Sequence, residues 1–119
     1  VELARRDTRE KMTVSVDNVA TTIQKLLIDI QEYLYQRAMA FRASYTTSVN
    51  TYDAFKKVIA QKGGFVLAHW DGTTETEKRI QAETKATIRC IPLDAIQEDG
   101  VCMYTGKPSP RRVVFAQAY

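Results

Sequence analysis

The sequence predicts an α+β fold: a long N-terminal helix leading into a small two-layer domain with a mixed β-sheet and two helices. Two observations carry this. From Asp17 to about Ser44, apolar residues recur every three or four positions with no Gly or Pro between them, the period of an amphipathic helix. From Tyr52 onward, short patterns succeed one another as helix, strand, helix, strand, strand, strand, punctuated by Gly, Pro and Asp. Strands first separated by helices and then following one another directly suit a mixed sheet covered by helices.

Each element has its own signal. Val1–Arg5 and Met12–Val16 alternate around a charged turn, Arg6–Lys11, and predict two short strands with one buried face, either a hairpin or the last strands of an upstream sheet. In the long helix Val19, Ile23, Leu26, Ile30, Tyr33, Leu34, Arg37, Ala38 and Phe41 share a face. Gln24, Lys25, Asp29, Glu32, Gln36 and Arg42 fall largely opposite, and this mixture of charge signs argues against a helix lying on a membrane surface. Ser15 or Asp17 is placed to accept from the first-turn N–H groups.

Tyr45–Val49 is a Thr/Ser-rich connector. Asn50 or Thr51 caps a second helix, Tyr52 to about Gln61, whose apolar face is Ala54, Phe55, Val58 and Ile59, and Gly63-Gly64 ends it in the left-handed conformation. Phe65–Trp70 is an apolar run bounded by turn residues, hence a buried central strand. Thr74 and Glu77 form a capping box for a third helix, which turns Ile80 and Ala82 inward and ends near Lys85. Thr87–Pro92 reads as a strand that Pro92 terminates. Leu93–Gln97 is irregular, Asp99-Gly100 turns into a short strand at Val101–Tyr104, Thr105–Pro110 is a tight loop, and Arg111–Tyr119 closes as a strand. Three segments follow: residues 1–16 as the end of a preceding domain, 17–49 as a linking helix and connector, and 50–119 as a C-terminal α+β domain.

Composition sets the outer bounds. The chain has 119 residues, 45% of them hydrophobic, and a formal net charge of +3. That suits one domain and falls short of the basic bias that argues for nucleic-acid binding unaided. No apolar run is long enough to cross a membrane. The charged N-terminus lacks an initiator Met and the apolar core of a signal peptide, so Val1 is expected to lie partway along a longer chain. Two cysteines, Cys90 and Cys102, without a secretion signal favour a reducing, cytoplasmic setting.

Few residues suggest chemistry. His69 is the only histidine, and no nucleophile or second metal ligand is spaced to join it. Glu75, Glu77 and Glu83 are explained by a helix N-terminus and a solvated face. Gly63-Gly64 lacks the Lys-Ser/Thr partner of a phosphate loop. Lys107, Arg111 and Arg112 form a small basic cluster near Tyr104, a candidate contact for phosphate. Cys102-Met103-Tyr104-Thr105-Gly106 has the shape of a zinc knuckle in which Thr105 stands where a second thiolate belongs. A neutral hydroxyl is a very poor zinc ligand, so no tightly bound zinc is expected.

Several stretches, V-E-L-A-R-R-D-T, L-Y-Q-R-A-M-A-F-R, T-Y-D-A-F-K, I-Q-A-E-T-K-A-T-I-R-C-I-P, C-x-x-T-G-K-P-S and R-V-V-F-A-Q-A-Y, together resemble the C-terminal part of prolyl-tRNA synthetases of the archaeal or eukaryotic-like type. The E-T-x-A-T-x-R-C-I-P stretch and the terminal Tyr are the specific parts. The resemblance implies that residues 1–16 close an anticodon-binding domain. It implies a parent enzyme, a class II ligase that uses ATP and Mg to join proline to tRNA(Pro) through a prolyl-adenylate, and that is a homodimer. In this picture the chain follows the catalytic core, is inactive alone and holds no catalytic residue, and it presents the carboxylate of Tyr119 toward the active site. Zinc-bearing members carry one Cys pair in the loop after the Phe65–His69 strand and another in the C-x-x-C turn. Here those places hold Asp71 and Thr76, and Cys102 and Thr105, so the resemblance implies the fold without zinc. Two other readings of the residues stay open: a stand-alone RNA-binding module and a protein-interaction module docking through the long helix.

Overall fold

A computed structural model describes residues 1–117 of the chain, which divides into two compact units, Val1–Ala43 and Ser44–Tyr119. In the first, β1 (Glu2–Ala4) and β2 (Lys11–Thr13) pair antiparallel with Leu3 opposite Met12, which settles the first two strands as a hairpin. Its charged turn is held internally. The Arg5 guanidinium grips Asp7 at 2.7 and 3.1 Å, and Arg9 takes a left-handed conformation, with its N–H bonded to the Arg5 carbonyl. One 3₁₀ turn, Val16–Asn18, precedes α1 (Val19–Ser44). Neither Ser15 nor Asp17 caps that helix directly: the 3₁₀ turn intervenes, and Ser15 makes no side-chain capping bond to it. Val19, Leu26 and Ile30 are half-covered along one face, but no residue of α1 is buried, and Leu27, Ile28, Tyr35 and Phe41 are open.

The second unit is a mixed four-stranded sheet in the order β3-β4-β8-β5. β3 (Thr46–Ser48) runs parallel to β4 (Phe65–His69), with α2 (Tyr52–Gln61) as the crossover between them. Within the expected connector, Thr46–Ser48 is therefore an edge strand. Their Thr and Ser side chains fit a strand as well as a loop, and only the pairing with β4 decides between them. β8 (Arg112–Gln117) lies antiparallel to both β4 and β5 (Ala86–Cys90), with one irregularity between Ile88 and Cys90 that bends the outer strand. A separate two-stranded ribbon, β6 (Gly100–Val101) with β7 (Pro108–Ser109), closes the loop that contains Cys102–Lys107.

The core lies on one face of the sheet. Val66 and Ala68 of β4 stand opposite Phe115 and Val113 of β8. On them pack Phe55 and Ile59 of α2 and Ile80 of α3 (Thr74–Thr84), which makes the unit two-layered as expected. Phe55 and Phe115, both fully buried, meet edge to face with ring centroids 5.2 Å apart. Thr51 caps α2 by accepting from the Ala54 N–H, and Gly63 at φ +64° ends it, its N–H returning to the Val58 carbonyl.

Two details of α3 differ from expectation. Its N-cap is Thr73, whose hydroxyl accepts from the Thr76 N–H, and Glu77 does not reach back to the cap but accepts from the Ile88 N–H of β5 at 3.3 Å. This frame points Thr76 and Ile80, four residues apart, into the protein. Ala82, two residues further on and so about 200° around the helix, faces solvent.

The packing gives a first prediction. Phe55→Ala removes the ring at the centre of the core and should destabilise the Ser44–Tyr119 unit by about 3–5 kcal/mol, against less than about 0.5 kcal/mol for Leu93→Ala at a fully open position, measured by urea unfolding.

Candidate functional site

The polar chemistry of the second unit is gathered at three carboxylates. The first is Asp71, in the loop between β4 and α3. Its Oδ1 accepts from the Thr73 N–H at 3.1 Å and the Thr73 hydroxyl at 2.9 Å, and its Oδ2 accepts from the hydroxyls of Thr76 and Thr105, each at 2.9 Å. Thr105 comes from the turn between β6 and β7, 34 residues away. Asp71, Thr76 and Thr105 stand where the resemblance implies metal ligands in zinc-bearing members. The structure brings all three together, and Cys102 sits buried at the head of the same turn. Burial alone would raise the Asp71 pKa, but the Thr73 hydroxyl and amide and the Thr76 and Thr105 hydroxyls outweigh it and hold the carboxyl below its ordinary value.

These residues do not fit zinc. Ligands on a tetrahedral ion at ordinary bond lengths stand about 3.3–3.8 Å from one another. Here Oδ2 and its two threonine hydroxyls are 2.9 Å apart, a hydrogen-bond length. The carboxylate's lone pairs already accept donors, and two of the four positions are hydroxyls that do not ionise in this range. Among the described residues no group of three His, Cys, Asp or Glu is arranged to hold a metal ion.

The second carboxylate is Glu98. Both its oxygens receive the Arg112 guanidinium at 3.0 Å, and the same guanidinium donates to the Val49 carbonyl at 2.8 Å and the Asn50 side-chain oxygen at 2.7 Å. Arg112 thus joins β8, the end of β3 and the irregular segment before β6. The structure commits this residue of the basic cluster internally, while Lys107 and Arg111 stay exposed. Beside it lies His69, buried, its Nδ1 3.1 Å from the Ser109 hydroxyl and its Nε2 3.7 Å from Glu98. A histidine between a serine and a carboxylate has the outline of a hydrolytic triad, but this serine is buried and its hydroxyl also lies 3.0 Å from the Arg111 carbonyl as a donor. It is a structural link, the ordinary state of a buried, satisfied histidine. Gly100 lies flat on the imidazole, and a Cβ there would collide with Nε2.

The third is Glu83, near the end of α3. Its two oxygens accept the phenol hydroxyls of Tyr52 at 2.8 Å and Tyr104 at 3.0 Å, and the two rings meet edge to face at 4.9 Å. Burial first, then Glu83, pushes the Tyr52 hydroxyl well above its usual range, and the two phenols hold Glu83 below its own. The long-range links of Glu83, Glu98, Ser109 and Asn50 have no local signal, since they span 14 to 62 residues. Glu83 looked like one more solvated helix charge. The only local cue was two aromatic residues, Tyr52 and Tyr104, that the helical and strand patterns did not need.

Two predictions follow from this geometry. Gly100→Ala should destabilise the unit by about 1–3 kcal/mol through overpacking on His69, read as a lowered urea midpoint. The carboxyls of Asp71, Glu83 and Glu98 all have lowered folded-state pKa values. Their stabilisation is complete above the unfolded carboxylate range of about 4 and is lost as pH falls through the lower folded values. Thermal midpoints should therefore be flat from about pH 7 to 5 and drop steeply below about pH 4, and Asp71→Asn should make that drop shallower.

Comparison with known proteins places this architecture. A sequence profile described as "Prolyl-tRNA synthetase, C-terminal" matches residues 52–119. The chain is 61% identical over its whole length to the proline–tRNA ligase of Amoebophilus asiaticus, 58% to that of Cytophaga hutchinsonii and 56% to that of Porphyromonas gingivalis. It spans 24% of the length of each of these relatives. Over half of its residues match the profile, and the chain belongs to the family of prolyl-tRNA synthetase C-terminal domains.

Proposed function

We propose that the chain is the C-terminal accessory portion of a proline–tRNA ligase, of archaeal or eukaryotic-like type, which joins proline to tRNA(Pro) through a prolyl-adenylate at the expense of ATP. The observation that carries this is the end-to-end match at 56–61% identity to proteins of that name, of which it makes up 24%. ATP, Mg, the proline site and all of the anticodon-binding domain but its closing residues 1–16 then belong to the rest of the enzyme, a cytoplasmic homodimer. This portion supplies position rather than chemistry. Its three carboxylates are all engaged in holding segments together, and no buried side-chain nitrogen or oxygen among the described residues lacks a partner.

Tyr119, which lies outside the described residues, is the group we assign to the active site, through its terminal carboxylate. The support is the strand that leads to it. β8 is paired on both sides, and the Gln117 side chain donates to the Thr84 carbonyl at 2.8 Å, so the chain is held firmly up to two residues before the terminus. Exposed Lys107 and Arg111 are the candidate tRNA contacts, with Arg112 serving the fold.

Deleting Tyr119 from the full-length enzyme should lower kcat/KM for prolylation by about tenfold or more, with the thermal midpoint nearly unchanged. Unaltered aminoacylation by the shortened enzyme removes the active-site role. Lys107→Glu with Arg111→Glu should weaken tRNA binding and reduce its salt dependence, whereas an identical salt slope assigns tRNA contact elsewhere.

A further inference from the structure

The Asp71 cluster does more than fill a loop. It connects two segments that no sheet joins: the turn leaving β4 and the Cys102–Thr105 turn. The backbone ties between these regions are few. The Met103 N–H bonds to the His69 carbonyl at 3.1 Å, and the remaining bonds of the turn are internal, Cys102 N–H to Lys107 carbonyl at 2.7 Å and Gly106 N–H to Cys102 carbonyl at 2.9 Å. The side-chain link from Thr105 to Asp71 therefore fixes the tip of the turn. Thr76 on the same oxygen is buried, so the carboxylate is anchored from below by α3 while it holds the turn from above.

We propose that Asp71 is a metal-free fastener. One carboxylate, gathering the hydroxyls of Thr73, Thr76 and Thr105, holds the β4–α3 loop to the Cys102–Thr105 turn in the place where zinc-bearing members of the family use four thiolates and an ion. This rests on the family membership and not on the ligase activity.

The chemistry of the exchange is consistent. A zinc ion draws four anionic sulfurs together, and removing it leaves thiolates that repel. A single anion surrounded by neutral donors needs no cation. Hydrogen bonds to a charged acceptor are roughly twice as strong as neutral ones, so three hydroxyls and an amide on one carboxylate form a compact, self-sufficient knot. The hydroxyl of Thr73 lies 2.9 Å from both Asp71 Oδ1 and Thr76 Oγ1 and has one proton, which the charged oxygen takes. Cys102 keeps its place in the turn as a buried apolar side chain, one of two free cysteines in the chain.

The test uses the 119-residue chain and reads metal and stability, never aminoacylation, so its failure leaves the ligase assignment standing. The protein purified from zinc-supplemented cells should contain no stoichiometric zinc by atomic emission, and its melting midpoint should be the same with and without excess EDTA. One zinc per chain, or a midpoint that falls with chelator, overturns the proposal. Asp71→Ala and Thr105→Val should each lower the midpoint by several degrees, and the double variant should melt no lower than the worse single. Fully additive losses would mean the two residues do not act on each other. Finally, Asp71→Cys, Thr76→Cys and Thr105→Cys combined with the natural Cys102 should bind one Co(II) with the intense thiolate charge-transfer absorption of a four-sulfur site. A folded triple variant that takes up no cobalt shows that these positions do not occupy the metal's place.

Discussion

The last strand in the sequence is an inner strand of the sheet, and the second unit depends on it. β8 is paired to β4 on one side and β5 on the other, and its Val113 and Phe115 supply the middle of the core. The sheet therefore stays open, as two separate edges, until residues near the chain end arrive. Loop-closure entropy is met late and all at once, since the pairs Val66–Phe115 and Ala68–Val113 each span more than 40 residues of chain. The same arrangement lays Arg112–Gln117 inside the sheet, between β4 and β5.

Around that strand the polar residues act as cross-links of long span. Arg112 reaches back to the end of β3, Ser109 to His69 of β4, and Gln117 to the end of α3. The carboxylates extend the pattern. Glu83 joins α2, α3 and the knuckle turn through two phenols, and Asp71 joins that turn to the start of α3. Each of these carboxylates takes a donor from a segment distant in the sequence. The energetic logic is asymmetric: each bond adds little net stability, but a buried partner left alone costs more, so the arrangement selects one relative placement of the segments.

Much of this was legible in the sequence, and the limits have physical causes. Helices α1 and α2, the buried β4 and the mixed sheet follow from periodicity and from Gly63, which are local signals. The strand at Thr46–Ser48 reads as a connector because a three-residue edge strand has no period, and its identity lies in its pairing with β4. Thr73 and Thr74 stand side by side at the start of α3. The box rule chose Thr74 for its spacing to Glu77, but placing Thr76 and Ile80 inward favours Thr73, a tertiary preference that the local rule does not contain. The resemblance to a metal-bearing family marked Asp71, Thr76, Cys102 and Thr105, and that they converge was implied. The hydrogen bonds among them were not, because nothing in a sequence says that one carboxylate oxygen will meet hydroxyls from positions 76 and 105.

Size explains why such fastening is needed at all. The Ser44–Tyr119 unit lies in the range, roughly 70–80 residues and below, where a single apolar core supplies only a few kcal/mol and small domains recruit disulfides or structural metals. Both cysteines here are free, and one of them is exposed. Phe55 and Phe115 are the fully buried aromatics among the described residues, and the knuckle turn adds Met103 to the core while Tyr104 packs against it. Past Met103 and the buried Cys102, the turn has only the two residue pairs of β6 and β7 as a ladder. A cross-link drawn from side chains is what remains, and an acceptor with four lone-pair sites in reach of Thr73, Thr76 and Thr105 supplies it in the smallest space. Because it is made of hydrogen bonds to a charged acceptor, its strength follows the charge of one carboxyl.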